Sequence, residues 1–146
     1  MSALEHGSGA GTPIQGVTLY SFTRAFHGRE YDLEGLIRKV AAEGYGPGLE
    51  VIGFSSFRGF PAIDDAYAGW FRDLVDEVGL VTTSLAVNAD IGIHRDRLLT
   101  QDELIEYMTL QIKAAASLGF PIARVQISIT PDSMEALAPI AEEPIP

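Results

Sequence analysis

The feature that most constrains the fold of this chain is a repeated alternation between short apolar runs and stretches with helical apolar spacing. Four apolar runs are typical of buried strands: residues 16–22 (GVTLYSF), 49–54 (LEVIGF), 80–87 (LVTTSLAV) and 123–129 (ARVQISI). Strands that are joined by helices pair in parallel, and their crossovers are right-handed. The alternation therefore predicts an α/β fold built from successive βα units.

The helical stretches between these runs have start and stop signals. A residue that can cap a helix N-terminus precedes each one: Asp32, Asp64 or Asp65, Thr100, and the pair Pro131 and Asp132. A glycine ends each of the first three: Gly44, Gly79 and Gly119. Glu103 follows Thr100 at the spacing of a capping box. The third helix is predicted to bury the stripe Leu104, Tyr107, Met108, Ile112 and Ala115.

A spacing of roughly 30 to 40 residues between strands suits either a barrel or a doubly wound sheet. A dinucleotide-binding unit would place Gly-x-Gly-x-x-Gly after the first strand, but TRAFHGREYD stands there, and no Walker loop is present. The glycines of GYGPG precede the second strand, where they turn the chain from helix to strand. The sequence therefore offers no glycine-rich phosphate cradle.

Composition limits the partners and the compartment. The chain has 146 residues with 10 basic and 20 acidic side chains, and its formal charge of −10 disfavours nucleic acid and anionic membrane as partners. No cysteine is present, which excludes disulfides and thiolate sites and fits a cytoplasmic location. No apolar run approaches the ~20 residues of a membrane span. We expect residues 1–15 to form a flexible tail and residues 16–146 to form the domain.

Four segments together carry a family resemblance: GVTLYSF, EGYGPGLEVIGF, DEVGLVTTSLAV and AASLGFPIARVQIS. In the order and phasing of these segments the chain resembles the sugar phosphate isomerase/epimerase family, which belongs to the xylose-isomerase-like TIM barrels. The resemblance implies a parallel (βα)4 half of a (β/α)8 barrel, apparently truncated before the fifth strand. It also implies a divalent metal ion (Mn, Mg, Co or Zn), with most of its ligands expected on strands outside this chain.

The active site of a parallel barrel is built at the carboxyl ends of the strands and by the loops that follow them. This rule selects side chains without reference to a family. Aromatic residues there could line a sugar-sized pocket, or they could simply pack against the core. The predicted substrate-binding residues are Tyr20, Phe22, Phe54, Asn88 and Gln126.

Glu50 and His94 are the candidate catalytic residues. Glu50 lies inside an apolar strand, where a carboxylate is costly to bury unless it is paired. It is either a site residue or a structural carboxylate paired with a basic residue such as Arg124. His94 and His27 fall in predicted βα loops and could bind a divalent ion with Asp90 and Glu50, although a solvated loop histidine is the commoner case.

The resemblance implies metal-assisted proton transfer next to a carbonyl of a small sugar or sugar phosphate. A related barrel lyase, dehydratase or endonuclease, or a non-catalytic assembly subunit or fragment, is the alternative. The negative charge disfavours the endonuclease. Because four parallel strands leave two open edges, we expect a homo-oligomer or a complementing half-barrel, and little activity from the isolated chain.

Overall fold

The computed structural model describes residues 13–141. Most of the predicted tail, residues 1–12, and the last residues, 142–146, lie outside the described part. The strands are β1 Gly16–Thr18, β2 Gly48–Ile52, β3 Val81–Asp90 and β4 Ile122–Ser128. The helices are α1 Thr23–His27, α2 Leu33–Ala42, α3 Gly53–Ser56, α4 Asp65–Glu77, α5 Gln101–Ser117 and α6 Pro131–Ala141, and a 3-10 helix spans Leu19–Phe22.

The strands form one parallel sheet in the order β1-β2-β3-β4. This sequential order is that of a barrel, whereas a doubly wound sheet reverses its strand order. The predicted α/β architecture, a parallel (βα)4 half of a TIM-type barrel, is confirmed. Within residues 13–141, no further strand pairs with the outer edge of β1 or of β4.

The core lies between the sheet and the layer formed by α2, α4 and α5. Leu49 and Val51 of β2 and Leu85 of β3 are fully buried on this side, together with Phe71 of α4. Alternate residues of a strand point to opposite faces. The residues between these apolar ones, such as Glu50, therefore face away from the helices.

The helix signals in the sequence are confirmed. The side chains of Asp32, Asp64 and Thr100 accept hydrogen bonds at the starts of α2, α4 and α5. The glycines after these helices, Gly44, Gly79 and Gly119, have φ angles of 73°, 74° and 84°. This left-handed conformation ends a helix and is easiest for glycine.

The first strand is shorter than predicted. The backbone N–H of Tyr20 donates to the Thr18 hydroxyl (3.3 Å), and the Thr23 hydroxyl donates to the Tyr20 carbonyl (2.6 Å). These bonds hold residues 19–22 in a 3-10 helix. The prediction that the strand extends to residue 22 was therefore wrong, and Tyr20 and Phe22 stand beyond the sheet.

The third predicted strand and the third helical stripe also need correction. β3 continues to Asp90, so that Asn88 and Asp90 belong to the strand and not to the following loop. On α5, Gln111 is fully buried, whereas Ile112 is 49% exposed. The buried stripe of α5 thus runs through a glutamine that the apolar pattern passed over.

The outer side of β4 is apolar and uncovered. Val125 and Ile127 are 47% and 53% exposed. The side chains of Val125 and Ile127 point to the same face of the sheet as that of Ala123, which packs against the core. Within the described residues, the layer that buries β2 and β3 therefore reaches Ala123 but does not extend over Val125 and Ile127.

The capping box of α5 gives a test of the local structure. The Glu103 N–H donates to the Thr100 hydroxyl (3.3 Å), and the Thr100 N–H donates to the Glu103 carboxylate (2.8 Å). We expect Thr100→Ala to lower the free energy of unfolding by about 1 kcal/mol, because an orphan helix N–H loses its acceptor. Thr100→Ser retains the hydroxyl and is the matched control in urea unfolding. An equal loss in both variants would show that the hydroxyl is not the stabilising group.

Candidate functional site

A cavity of about 480 Å³ lies on the sheet face opposite the helices, at the carboxyl ends of the strands. Five of the seven candidate site residues line it: Tyr20, Glu50, Phe54, Asn88 and Gln126. They come from four successive βα units that are far apart in sequence. The structure therefore brings together most of the residues selected by the strand-end rule.

Two aromatic side chains form walls of this cavity. Tyr20 is 66% exposed and Phe54 is 42% exposed, so both rings present area that the core does not use. Phe54 is held edge-to-face against Phe60, with the ring centroids 5.0 Å apart. An exposed ring on a fixed support is suited to stacking against the apolar face of a sugar.

The polar floor consists of neighbouring strand residues. Asn88 of β3 is in register with Gln126 of β4, and Ala86 is in register with Arg124. Asn88 and Gln126 each offer an amide with both donor and acceptor groups. Side by side on adjacent strands, they could bind adjacent hydroxyl groups of a sugar.

Glu50 makes both a hydrogen bond and an ion pair across the sheet. The Ser84 hydroxyl donates to one carboxylate oxygen at 2.8 Å, and the Arg124 guanidinium lies 3.3 Å from the other. The pairing with Arg124 is the structural alternative that the sequence left open. Because the Glu50 side chain is still 24% exposed and lines the cavity, the pair forms part of the cavity wall.

The environment of Glu50 keeps it ionised at neutral pH. Burial alone would raise the pKa of Glu50, but hydrogen bonds from Ser84, Thr18 and Arg124 hold the pKa below the ordinary value of 4.5. The folded pKa lies below the unfolded one. The stabilisation by Glu50 is therefore present above pH 4.5 and is lost as the pH falls through the folded pKa. Such a carboxylate is a strong hydrogen-bond acceptor but a weak general base.

Two candidate residues lie outside the cavity. Phe22 is partly buried against the core, with its ring centroid 6.1 Å from that of Tyr45. His94 lies on a different depression beside α5, where its Nε2 atom is 3.4 Å from a carboxylate oxygen of Glu103. The structure thus does not bring His94 to the cavity that contains Glu50.

Asp90 is engaged in a compact hydrogen-bond cluster. One carboxylate oxygen accepts from the backbone N–H of Gly92 (3.0 Å) and of Thr130 (3.3 Å). The other accepts from the hydroxyls of Thr130 (2.7 Å) and Ser133 (2.6 Å). Burial alone would raise the pKa of Asp90, but the bonds from Ser133, Thr130 and Gly92 lower it to about 2.

The described residues do not fit the metal ion that the resemblance implies. Within residues 13–141, no three histidine, aspartate or glutamate side chains are grouped as a metal site would require. Asp90 is occupied by its four donors, and His27 ends α1. No chemical step can be assigned to a metal held by these residues.

The sequence reasoning missed Ser84 and Gln111. Ser84 is opposite Glu50 in the β2–β3 register, so an alignment of the two strands by their alternation could have paired them. Gln111 accepts from the Asn88 N–H (3.2 Å) and donates to the Asn88 carbonyl (2.9 Å). A single amide inside an apolar helical stripe was the available signal.

Comparison with known proteins agrees with this architecture. The chain superposes on a sugar phosphate isomerase/epimerase from Parabacteroides distasonis with a TM-score of 0.52 and 18% identity, over 96% of this chain and 49% of that one. The chain has the fold of half a sugar phosphate isomerase/epimerase barrel. No family model matches the sequence. None of the described helices has the length and apolar character that a bilayer crossing requires.

Curated relatives are much more similar in sequence. The chain is 94% identical over 132 residues to the "C-glycoside deglycosidase alpha subunit" of Microbacterium trichothecenolyticum, and 75% identical over 134 residues to the protein of the same name from Arthrobacter globiformis. A "3'-dehydrocarminate deglycosidase alpha subunit" of a Microbacterium species is 53% identical over 131 residues. These matches cover 90%, 91% and 90% of the chain but only 36%, 36% and 38% of the relatives, so the chain spans little more than a third of their length.

The Glu50–Arg124 pair can be tested by titration. We expect Arg124→Met to raise the pKa of Glu50, because the variant removes a hydrogen bond and a positive charge from its carboxylate. The chemical shift of the Glu50 carboxyl carbon, measured by NMR as a function of pH, gives the midpoint of the Glu50 titration. Arg97→Met, which breaks the pair between Arg97 and Glu103, is the control and should leave the midpoint unchanged. The same Glu50 midpoint in all three proteins would contradict the pairing.

Proposed function

We propose that this chain is part of the alpha subunit of a C-glycoside deglycosidase and forms one wall of its sugar-binding cavity. The observation that carries the proposal is the cavity lined by Tyr20, Glu50, Phe54, Asn88 and Gln126. The relatives that share 94%, 75% and 53% identity with the chain carry the corresponding names. At such identity the cavity residues act within the same kind of whole protein.

The proposed chemistry starts from the bond that must break. A C-glycoside joins the sugar to its aglycone through carbon, so no glycosidic oxygen is available to protonate. The name 3'-dehydrocarminate denotes a sugar oxidised to a ketone at C3′. A ketone there acidifies the C2′ proton. Removal of that proton forms the C1′–C2′ double bond, and the C1′–aglycone bond breaks with its electron pair going to the aglycone carbon, which takes up a proton.

In this reaction the chain binds and orients the sugar. Tyr20 and Phe54 flank its ring, and the amides of Asn88 and Gln126 contact hydroxyls. Glu50 is held ionised by Ser84 and Arg124, which suits a fixed hydrogen-bond acceptor better than the base that removes the proton. A catalytic role for His94 stays a prediction. The divalent ion implied by the resemblance would take its ligands from outside the described residues.

The second candidate function is a sugar phosphate isomerase/epimerase, which the fold of the Parabacteroides distasonis protein favours. The two functions share one step, proton removal next to a carbonyl. They differ in the fate of the carbanion, since an isomerase or epimerase returns the proton and a deglycosidase expels the aglycone. Release of free aglycone therefore distinguishes them.

The uncovered side of β4 supports a partner. Val125 and Ile127 are apolar and exposed on a strand that has an open edge within the described residues. Such an edge is a template for pairing with another strand. We infer that the remainder of a longer alpha subunit, or a second copy of the chain when it is isolated, covers this side. The word "alpha" in the relatives' names supports a further, different subunit.

The function is tested in the alpha subunit of Microbacterium trichothecenolyticum, with its matched segment replaced by that of this chain and its partner subunit present. We expect the hybrid to release free aglycone from a 3′-dehydro C-glycoside. The amount of aglycone released is measured by chromatography. Tyr20→Ala and Gln126→Ala should each raise KM about tenfold, which corresponds to ~1.4 kcal/mol of lost binding. Tyr45→Ala, an exposed tyrosine outside the cavity, is the control. A folded, assembled hybrid without aglycone release would refute the proposal.

The open side of β4 predicts self-association of the isolated chain. In analytical ultracentrifugation we expect a mass of at least two chains, because pairing would bury the exposed apolar side chains. The double variant Val125→Lys and Ile127→Lys should sediment as a monomer. Val81→Lys changes another exposed strand valine, and its mass should match that of the unaltered chain. A monomeric unaltered chain would show that this side needs no cover.

A further inference from the structure

Gln111 of α5 occupies an unusual place in the molecule. It is fully buried, and it lies on the helix face that packs against an otherwise apolar core. Its amide nitrogen donates to the Asn88 carbonyl at 2.9 Å, and its amide oxygen accepts from the Asn88 N–H at 3.2 Å. The nitrogen also contacts the Met108 sulfur at 3.6 Å. A buried amide is tolerated only when its groups are bonded, and here they are.

The position of Asn88 in the sheet explains why these bonds are needed. The registered pairs between β2 and β3 end at Ile52 and Ala86, after which the chain turns into α3. Asn88 lies two residues farther along β3, opposite Gln126 of β4 but with no β2 residue on its other side. The N–H and C=O of one strand residue point in the same direction, so both groups of Asn88 need a partner beyond the end of β2. The Gln111 amide supplies a donor and an acceptor there.

The side chain of Asn88 lines the cavity while its backbone is bonded to Gln111. We propose that Gln111 is a positioning residue that fixes Asn88 for contact with the sugar. It takes the place of a β2 residue, because β2 ends before it reaches Asn88. This inference rests on the proposed function of the cavity. Gln111 itself does not line that cavity, and therefore acts only through Asn88.

The role at position 111 requires a side chain that can both donate and accept a hydrogen bond. Methionine has a similar length but can neither donate to the Asn88 carbonyl nor accept from its N–H. Gln111→Met therefore leaves the Asn88 N–H and C=O without their Gln111 partners at little change in side-chain volume. Gln101→Met is the matched control, because Gln101 is the exposed first residue of the same helix.

A double-mutant cycle in the hybrid alpha subunit with its partner tests the inference. We expect Gln111→Met to lower kcat/KM about tenfold, on the scale of a displaced binding group. Asn88→Ala should have a similar effect. The double variant should be no worse than Asn88→Ala alone, because Gln111 acts through that side chain. Gln101→Met should retain the parental kcat/KM.

The outcomes separate the inference from the function on which it rests. If Asn88→Ala lowers kcat/KM but Gln111→Met does not, or if the two losses multiply, the positioning role is wrong while the cavity remains the site. If Asn88→Ala has no effect, Asn88 is not a substrate contact and the inference fails with it. An inactive parent hybrid refutes the deglycosidase function instead.

A second measurement is independent of activity. Hydrogen exchange in the same protein should show the Asn88 amide at least about tenfold less protected in Gln111→Met than in the parent, since its acceptor is gone. The Ala86 amide, within the β2–β3 ladder, is the internal reference and should not change. Equal protection of Asn88 in both proteins would overturn the positioning role whatever the kinetics show.

Discussion

The structure depends on a parallel sheet whose one face is covered by the helices α2, α4 and α5. Leu49, Val51 and Leu85 are fully buried against the helices, and this burial supplies the main stabilising free energy of the fold. The strand residues between them must then point the other way. Since nothing in residues 13–141 forms a second layer on the opposite face, that face can hold polar side chains, and the cavity lies there. The division into core and site thus follows from the alternation of each strand.

Glu50 shows how a charge is accommodated in such a strand. Ser84 and Arg124 bond its carboxylate from the two following strands, so the charge is balanced by groups that the parallel register brings near it. The resulting chain of contacts crosses β2, β3 and β4 on the cavity side. A carboxylate that would be costly in an apolar core is therefore paired in the wall of the cavity.

The sequence could predict the features that depend on neighbouring residues. Caps such as Thr100 and the strand order followed from local chemistry and from the alternation of elements. The early end of β1 was missed because the apolar run continues to Phe22, although Thr18 and Thr23 stand close enough to Tyr20 to bond its backbone. Gln111 was passed over because an amide breaks an apolar pattern. Its partner Asn88 also lies 23 residues away, in β3. The place of His94 depends on the path of a loop.

The cluster around Asp90 joins two parts of the molecule that the chain order separates. Its carboxylate binds the loop after β3 through Gly92 and the first turn of α6 through Thr130 and Ser133. Because one carboxylate bonds both segments, the start of the loop that carries His94 and the start of α6 are held together at the end of β3.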